Sequence, residues 1–314
     1  MGRSWKQKIT AEKTKAEKIK SRSRKGTLKS NEVTPRVFRR YVVALQLLFA
    51  FWKFNQLTPT SKGEIDSAVC EFVEAQWAGG EPVYRVNDAL AGLQYFLPLR
   101  KQLHSSWKRL RTWHKLEPAS RVLPMHPLLI MGMASVTLQL GYLDIAALML
   151  VGFECFLRSA EIYTLEVRDI HFYRDKAVLK LRDTKTSKRT GFDEMVLCHS
   201  VLATKLLKLA CQNKKPHDTV LDSNPYMFRK LFGKSADVFG DFENLSVYSL
   251  RRGGATWNFL QHHSMELTLL KGRWASAKTA RIYLQDAIAG LSDLQMSDNL
   301  RNRLLQHVAF LKEY

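Results

Sequence analysis

Three prolines within thirteen residues, Pro118, Pro124 and Pro127 in the stretch KLEPASRVLPMHP at 115–127, forbid a continuous helix or strand through this part of the chain. Proline lacks the N–H that a helix or a ladder needs and clashes with the preceding turn, so the stretch reads as a linker between two folding units. The 314 residues support the same division, being about twice an ordinary domain. Before the linker the pattern is helical. Val37, Tyr41, Ala44, Leu45, Leu48, Phe49 and Phe51 recur at three- and four-residue steps, the period of one buried helix face. After a turn at Leu57-Thr58-Pro59-Thr60, Thr60 or Ser61 is placed to cap a second helix through Ile65, Val69, Phe72, Val73 and Trp77, stopping at Gly79-Gly80. Two more helices are predicted, Asn87–Leu97 and Lys101–Trp113.

After the linker the pattern changes. Leu128–Leu140 and Leu143–Cys155 are apolar enough for buried helices. Then Leu165–Phe172, Ala177–Arg182 and Phe192–Cys198 form alternating or branched runs, joined by the turn-like RDK and DTKTSKRTG, and read as antiparallel strands. The remainder is helical. The predicted fold class is mainly α with a small antiparallel β-sheet (α+β), in four segments: a basic tail at 1–33, a helical domain at 34–117, a larger domain at 118–287 and a terminal amphipathic helix at 288–314. That last helix carries Leu291, Leu294, Met296, Leu300, Leu304, Leu305 and Val308.

Charge narrows the partner. Lys and Arg number 49 against 29 Asp and Glu, a net +20 with an isoelectric point near 9.9, which favours a polyanion and above all a nucleic acid. Eleven basic and three acidic residues place +8 of this in residues 1–33, where SRSRKGTLK also suits a nuclear import signal. The opening MGRSWKQKIT has no apolar core for a signal peptide, and the greasiest region, Leu128–Phe156, is interrupted by Gln139, Asp144 and Glu154. Cys70, Cys155, Cys198 and Cys211 form no CxxC pair and read as reduced buried thiols. The expectation is an intracellular protein with no membrane partner: nuclear in a eukaryotic host, otherwise in the cytoplasm or nucleoid. Exposed basic residues Arg36, Arg39, Arg40, Lys108, Arg109 and Arg111 of the helical domain, with Arg252 and Arg273 later, are the predicted nucleic-acid contacts. No HExxH, GxxxxGK[ST] or GxGxxG occurs, so neither a metal, a nucleotide cofactor nor a small-molecule substrate is expected.

The informative pattern is an ordered set of basic residues and aromatics. Arg158 opens Arg158-Ser159-Ala160-Glu161-Ile162 after a buried helix, and Lys185 lies in the hairpin run Asp183-Thr184-Lys185-Thr186-Ser187-Lys188. Tyr248-Ser249-Leu250-Arg251-Arg252-Gly253-Gly254 begins a helix, and Gly272-Arg273-Trp274 is followed by Tyr283, nine positions after the tryptophan. Arg158 and Glu161 alone also read as a surface i,i+3 ion pair, and Gly253-Gly254 suits either close helix packing or close approach to DNA. In order and spacing, residues 157–284 resemble the catalytic domain of the tyrosine recombinases: the phage integrases, Cre-type recombinases and their eukaryotic mobile-element relatives. That family's pattern is Arg, a hairpin Lys, His-x-x-Arg, His or Trp, and Tyr nine residues later. The domain at 34–117 resembles its core-binding domain in position, size and charge.

The resemblance implies a site-specific recombinase or integrase acting on double-stranded DNA as a homo-tetramer, needing neither ATP nor metal. Arg158 and Arg251 would grip the scissile phosphate, as planar, permanently charged forks do. Trp274 would donate its indole N–H. Tyr283 would attack phosphorus to give a 3′-phosphotyrosine, and Lys185 would protonate the leaving 5′-oxygen, with Lys188 as a substitute. Glu161 would orient a basic neighbour. Tyr248 stands where the family usually has His; a phenol titrating near 10 donates or accepts a hydrogen bond but is a poor base at neutral pH. The terminal helix has two berths, its own domain or, by the resemblance, a neighbouring subunit. Competing readings are a type IB topoisomerase-like relaxer, a catalytically weak domesticated DNA-binding protein and a basic RNA-binding module.

Overall fold

The structure is a computed structural model, and it describes residues 15–25, 27–99, 101–118, 122, 124–182, 184, 193–240, 242, 245–274, 276–277, 281 and 296–314. Lys185, Lys188 and Tyr283 lie outside these residues. The chain divides into two compact units, at Met1–Ser120 and Arg121–Tyr314.

In the first unit, α1 (Lys15–Lys25) precedes a bundle of α2 (Pro35–Phe54), α3 (Lys62–Ala78), α4 (Val83–Phe96) and α5 (His104–Leu116). Local chemistry starts the first two bundle helices. Thr34 caps α2 ahead of Pro35, whose missing N–H is harmless at a helix start. Ser61 and Glu64 form a reciprocal capping box on α3. The α5 start is different: it lies at His104 rather than Lys101, because the buried Asp66 carboxylate of α3 accepts from the backbone N–H of Ser105 and Ser106, both at 3.0 Å. Leu48, Val69, Phe72, Val86, Leu90, Leu103 and Leu110 fill the core.

The second unit packs α6 (Pro127–Gln139) and α7 (Leu143–Glu154) at its centre, followed by the short α8 (Ser159–Thr164). The sheet is an antiparallel meander of β1 (Ile170–Tyr173), β2 (Lys176–Leu181) and β3 (Glu194–Cys198), with Leu179 opposite both Ile170 and Val196. The first strand is shorter than predicted because Leu165–Asp169 bonds elsewhere: Val167 N–H donates to Asp218 and Leu165 C=O accepts from Val220. Then come α9 (Val201–Ala210), α10 (Pro225–Asp237), α11 (Tyr248–His262), α12 (Met265–Gly272) and α13 (Asp298–Glu313). The terminal helix α13 covers part of the helix predicted at 288–314, whose residues Leu291 and Leu294 lie outside the described residues. It lies on α6 of its own unit, burying Leu304, Val308 and Leu311, with Leu304 seated over Gly132. The four cysteines are free thiols. Among the described residues no helix is long and apolar enough to cross a membrane.

Candidate functional site

The site grows from the end of α7. That helix is buried from Asp144 to Phe153 and closes at Cys155, after which Phe156 takes a left-handed backbone, φ +50°. A bulky residue there costs on the order of 1 kcal/mol, so the turn is held by its surroundings. One effect is to present the Phe156 carbonyl inward, where it accepts from Arg251 Nη1 and, at 3.2 Å, from Arg273 Nη2.

Two residues on, Arg158 occupies the N-cap of α8 and Glu161 its third position. Glu161 Oε2 accepts from the Arg158 backbone N–H at 2.8 Å, while Oε1 accepts from Arg158 Nη1 at 2.6 Å. The i,i+3 pair is therefore real, but it is not a surface pair: Glu161 is 7% exposed. Arg158 keeps 28% of its side chain exposed, with Glu194 Oε2 at 3.7 Å.

Arg251 projects from the first turn of α11 and is 2% exposed. Besides the Phe156 carbonyl it donates to Gly272 C=O at 2.7 Å, and its guanidinium lies 4.8 Å from the centre of the Trp274 ring. Trp274 in turn stacks on Phe156 at 6.4 Å between ring centres. Burial, then the charges of Arg158 and Arg273, push the Arg251 guanidinium down to about 10, opposed by Glu161 and Tyr248. It stays fully charged at neutral pH. Tyr248 is thus within electrostatic reach of Arg251, one turn back on the same helix.

Gly253 and Gly254 serve helix packing. A Cβ at 254 falls 2.8 Å from Phe156 Cδ1 and closer on the Phe153 carbonyl oxygen, and one at 253 falls 2.7 Å from the Met125 nitrogen. Only glycine lets α11 approach the end of α7 this closely.

The predicted DNA contacts separate into three groups. Arg36, Arg39, Lys108 and Arg111 are exposed on α2 and α5. Arg40 and Arg109 are also exposed but paired, Arg40 bidentate with Asp88 at 2.8 Å and Arg109 with Glu74 at 2.8 Å and Cys70 Sγ at 2.9 Å. Arg252 and Arg273 are not exposed side chains. Arg252 is 4% exposed and donates to Val122 C=O, and the Arg273 side chain is 6% exposed against Glu161 Oε2 at 2.9 Å. Their charge suggested surface positions, but buried acceptors far away in sequence claim both.

The structure therefore brings Arg158, Glu161, Tyr248, Arg251 and Trp274 together, and adds Arg273, the Phe156 carbonyl and the Lys271–Glu154 pair at 2.9 Å. A backbone carbonyl leaves no mark in a sequence, and the role of Arg273 depends on a partner 112 residues away. Arg158 and Arg273 pair with Glu161, Arg158 also approaches Glu194, and Arg251 bonds only carbonyls, so the cluster carries net positive charge. Among the described residues no three His, Cys, Asp or Glu side chains cluster as a metal site requires.

No family model and no curated protein matches the chain. Solved structures do. The Tn1549 transposon integrase in complex with transposon right end DNA is 11% identical with a TM-score of 0.58, over 94% of this chain and 98% of that one. A lambda integrase dimer bound to a COC′ core site is 13% identical with a TM-score of 0.55, over 90% and 77%. The XerH site-specific recombinase bound to palindromic difH substrate, a post-cleavage complex, is 15% identical with a TM-score of 0.52, over 81% and 78%. At these identities the likeness is one of fold. The chain has the tyrosine recombinase fold, mainly α with a small antiparallel sheet.

Proposed function

We propose that this protein is a site-specific DNA recombinase or integrase that cuts and rejoins duplex DNA through a 3′-phosphotyrosine. The observation that carries the reading is the convergence of Arg158 and Arg251 around one turn, Phe156–Arg158, in a chain of this fold. Arg251 is fixed by two carbonyls and Arg158 by a single end-on bond to Glu161, so both keep N–H groups for the non-bridging oxygens of a phosphate. Trp274 covers the Arg251 guanidinium and shields it from water.

In this mechanism the Tyr283 oxygen forms a bond to phosphorus as the P–O5′ bond breaks. Lys185 delivers its proton to the departing 5′-oxygen, and the phenolic proton of Tyr283 leaves to solvent. Arg158 and Arg251 hold the charge that builds on the phosphoryl oxygens. Tyr248 supplies a hydrogen bond in place of an imidazole. Attack by a 5′-hydroxyl of another strand reverses the step and completes strand exchange, so bond energy is conserved and no ATP enters. The exposed Arg36, Arg39, Lys108 and Arg111 contact the DNA backbone, the basic segment 1–33 adds affinity or directs nuclear import, and four copies assemble on paired sites.

A second reading is a monomeric type IB topoisomerase-like relaxer. It is compatible with α13 packing on α6 of its own unit.

The test is incubation with nicked duplexes followed by denaturing gels. A covalent adduct that survives SDS and vanishes in Tyr283→Phe is expected. No adduct with any duplex, or an undiminished adduct in Tyr283→Phe, overturns the proposal. Relaxation of supercoiled plasmid without strand exchange between paired duplexes selects the relaxer.

A further inference from the structure

We infer that Arg273 is a positioning residue for the phosphate clamp: by holding Glu161 Oε2 and the Phe156 carbonyl it keeps the Arg158 guanidinium free to grip phosphate. The inference rests on the recombinase reading for its substrate, but the geometry behind it does not.

Arg273 follows α12 in a left-handed conformation, φ +53°, the position after a helix where glycine is the cheapest residue. The chain keeps an arginine there and buries it to 6% exposure. Its Nη2 bridges Glu161 Oε2 at 2.9 Å and Phe156 C=O at 3.2 Å. Each of these acceptors also anchors a clamp arginine: Glu161 binds Arg158, and the Phe156 carbonyl binds Arg251. One guanidinium therefore braces both supports.

Stability alone does not explain the choice. Arg273 Nε and Nη1 are buried with no hydrogen-bond partner among the described residues. A third cation also adds repulsion beside Arg158 and Arg251. Buried pairs of this kind are weak sources of stability, and unpartnered buried donors oppose it.

What the pair does is set the way Glu161 meets Arg158. A carboxylate beside an unhindered arginine takes it fork to fork through both oxygens. Here Arg273 and the Arg158 backbone N–H fill the Oε2 side, so Arg158 bonds Glu161 through Nη1 and Oε1 alone. The rest of its fork stays available. Without Arg273, Glu161 turns and takes Arg158 bidentate, withdrawing donors from the phosphate. Glu161 is then the residue that orients a basic neighbour, as its spacing suggests, but Arg273 decides how.

The test compares full-length wild type with Arg273→Gly, which suits the left-handed backbone and so protects folding, and with Arg273→Lys. On nicked duplex at saturating protein, Arg273→Gly should form the phosphotyrosine adduct about a hundredfold more slowly while duplex affinity changes less than about threefold. Millimolar guanidinium chloride, against sodium chloride at equal ionic strength, should restore a measurable part of the rate, and Arg273→Lys should fall between. Glu161→Gln should lower the rate less in the Arg273→Gly background than alone. Orthovanadate, a phosphate analogue, gives a readout independent of cleavage: Arg273→Gly should bind it about tenfold more weakly than wild type. Equal adduct rates, or equal vanadate affinities, overturn the inference, as does loss of duplex affinity in step with rate. A wild type that binds vanadate more tightly than Arg273→Gly yet never forms an adduct instead defeats the recombinase reading and leaves the positioning role standing.

Discussion

Gly254→Ala sets two opposed effects against each other at the centre of the site. Within a helix, alanine is better than glycine by about 1 kcal/mol, so propensity alone predicts stabilisation. Space predicts the reverse. The new Cβ would lie 2.8 Å from Phe156 Cδ1 and 3.0 Å from the Phe153 carbonyl carbon, with the oxygen nearer still, whereas ordinary contacts begin at 3.4 Å. The ring can turn away, but the Phe153 carbonyl belongs to the last turn of α7 and cannot. Relief therefore requires α11 to separate from α7 by roughly 1 Å, and overpacking of this kind costs about 1–3 kcal/mol, occasionally more. The clash exceeds the propensity gain. Because Arg251 rides on α11 and its acceptor, the Phe156 carbonyl, on the turn after α7, the same shift opens the clamp. The melting temperature of the second unit should fall by about 2–10 °C and adduct formation by about a hundredfold. The control is Gly233→Ala in α10, where nothing lies within 4 Å of the added carbon. It should gain about 0.5–1 kcal/mol and leave the reaction alone. Scanning calorimetry and denaturing gels on the two variants decide it. If Gly254→Ala melts no lower than Gly233→Ala and forms adduct at the wild-type rate, close approach of α11 to α7 does not build the site.

Two further outcomes concern α13. Leu304 is fully buried over Gly132, so Leu304→Ala should cost about 2–5 kcal/mol independently of protein concentration; a loss that appears only at concentrations where the protein self-associates would mean the helix docks on a second copy. His126 and His307 are both held below their ordinary 6.5, by burial first and then by Arg301 and Arg303 respectively. Their folded forms prefer the neutral ring, so the unfolded chain binds protons more readily: stability is complete above pH 6.5 and is lost as pH falls from there through the folded values. His126 Nδ1 also accepts from the Leu128 N–H at 3.1 Å, a cap that protonation removes. Urea midpoints of the second unit should drop between pH 7.5 and 5.5, with a smaller drop in His307→Gln; midpoints that do not move would contradict the neutral, buried assignment.

Much of the scaffold is local and was legible in the order of residues. Ser61, one of the two cap candidates, starts its helix through atoms within one turn, and three prolines at 115–127 interrupt the helical pattern. Glu161 three residues after Arg158 likewise closes on its own helix start. What the residue order could not carry is the fate of groups whose partners come from elsewhere. Asp66 moves the start of α5, the 216–220 loop trims β1, and α13 chooses α6. The arginines make the distinction sharpest. Arg251, Arg252 and Arg273 are alike in chemistry and close in sequence, and a helix period cannot tell a surface cation from one drawn inside. Each is buried because a distant acceptor awaits it: the carbonyls of Phe156 and Val122, and the Glu161 carboxylate. The sequence alone determined a large excess of positive charge; the tertiary structure decided which of those charges face outward and which form the interior of the site, because desolvating a guanidinium is tolerable only where the fold supplies acceptors.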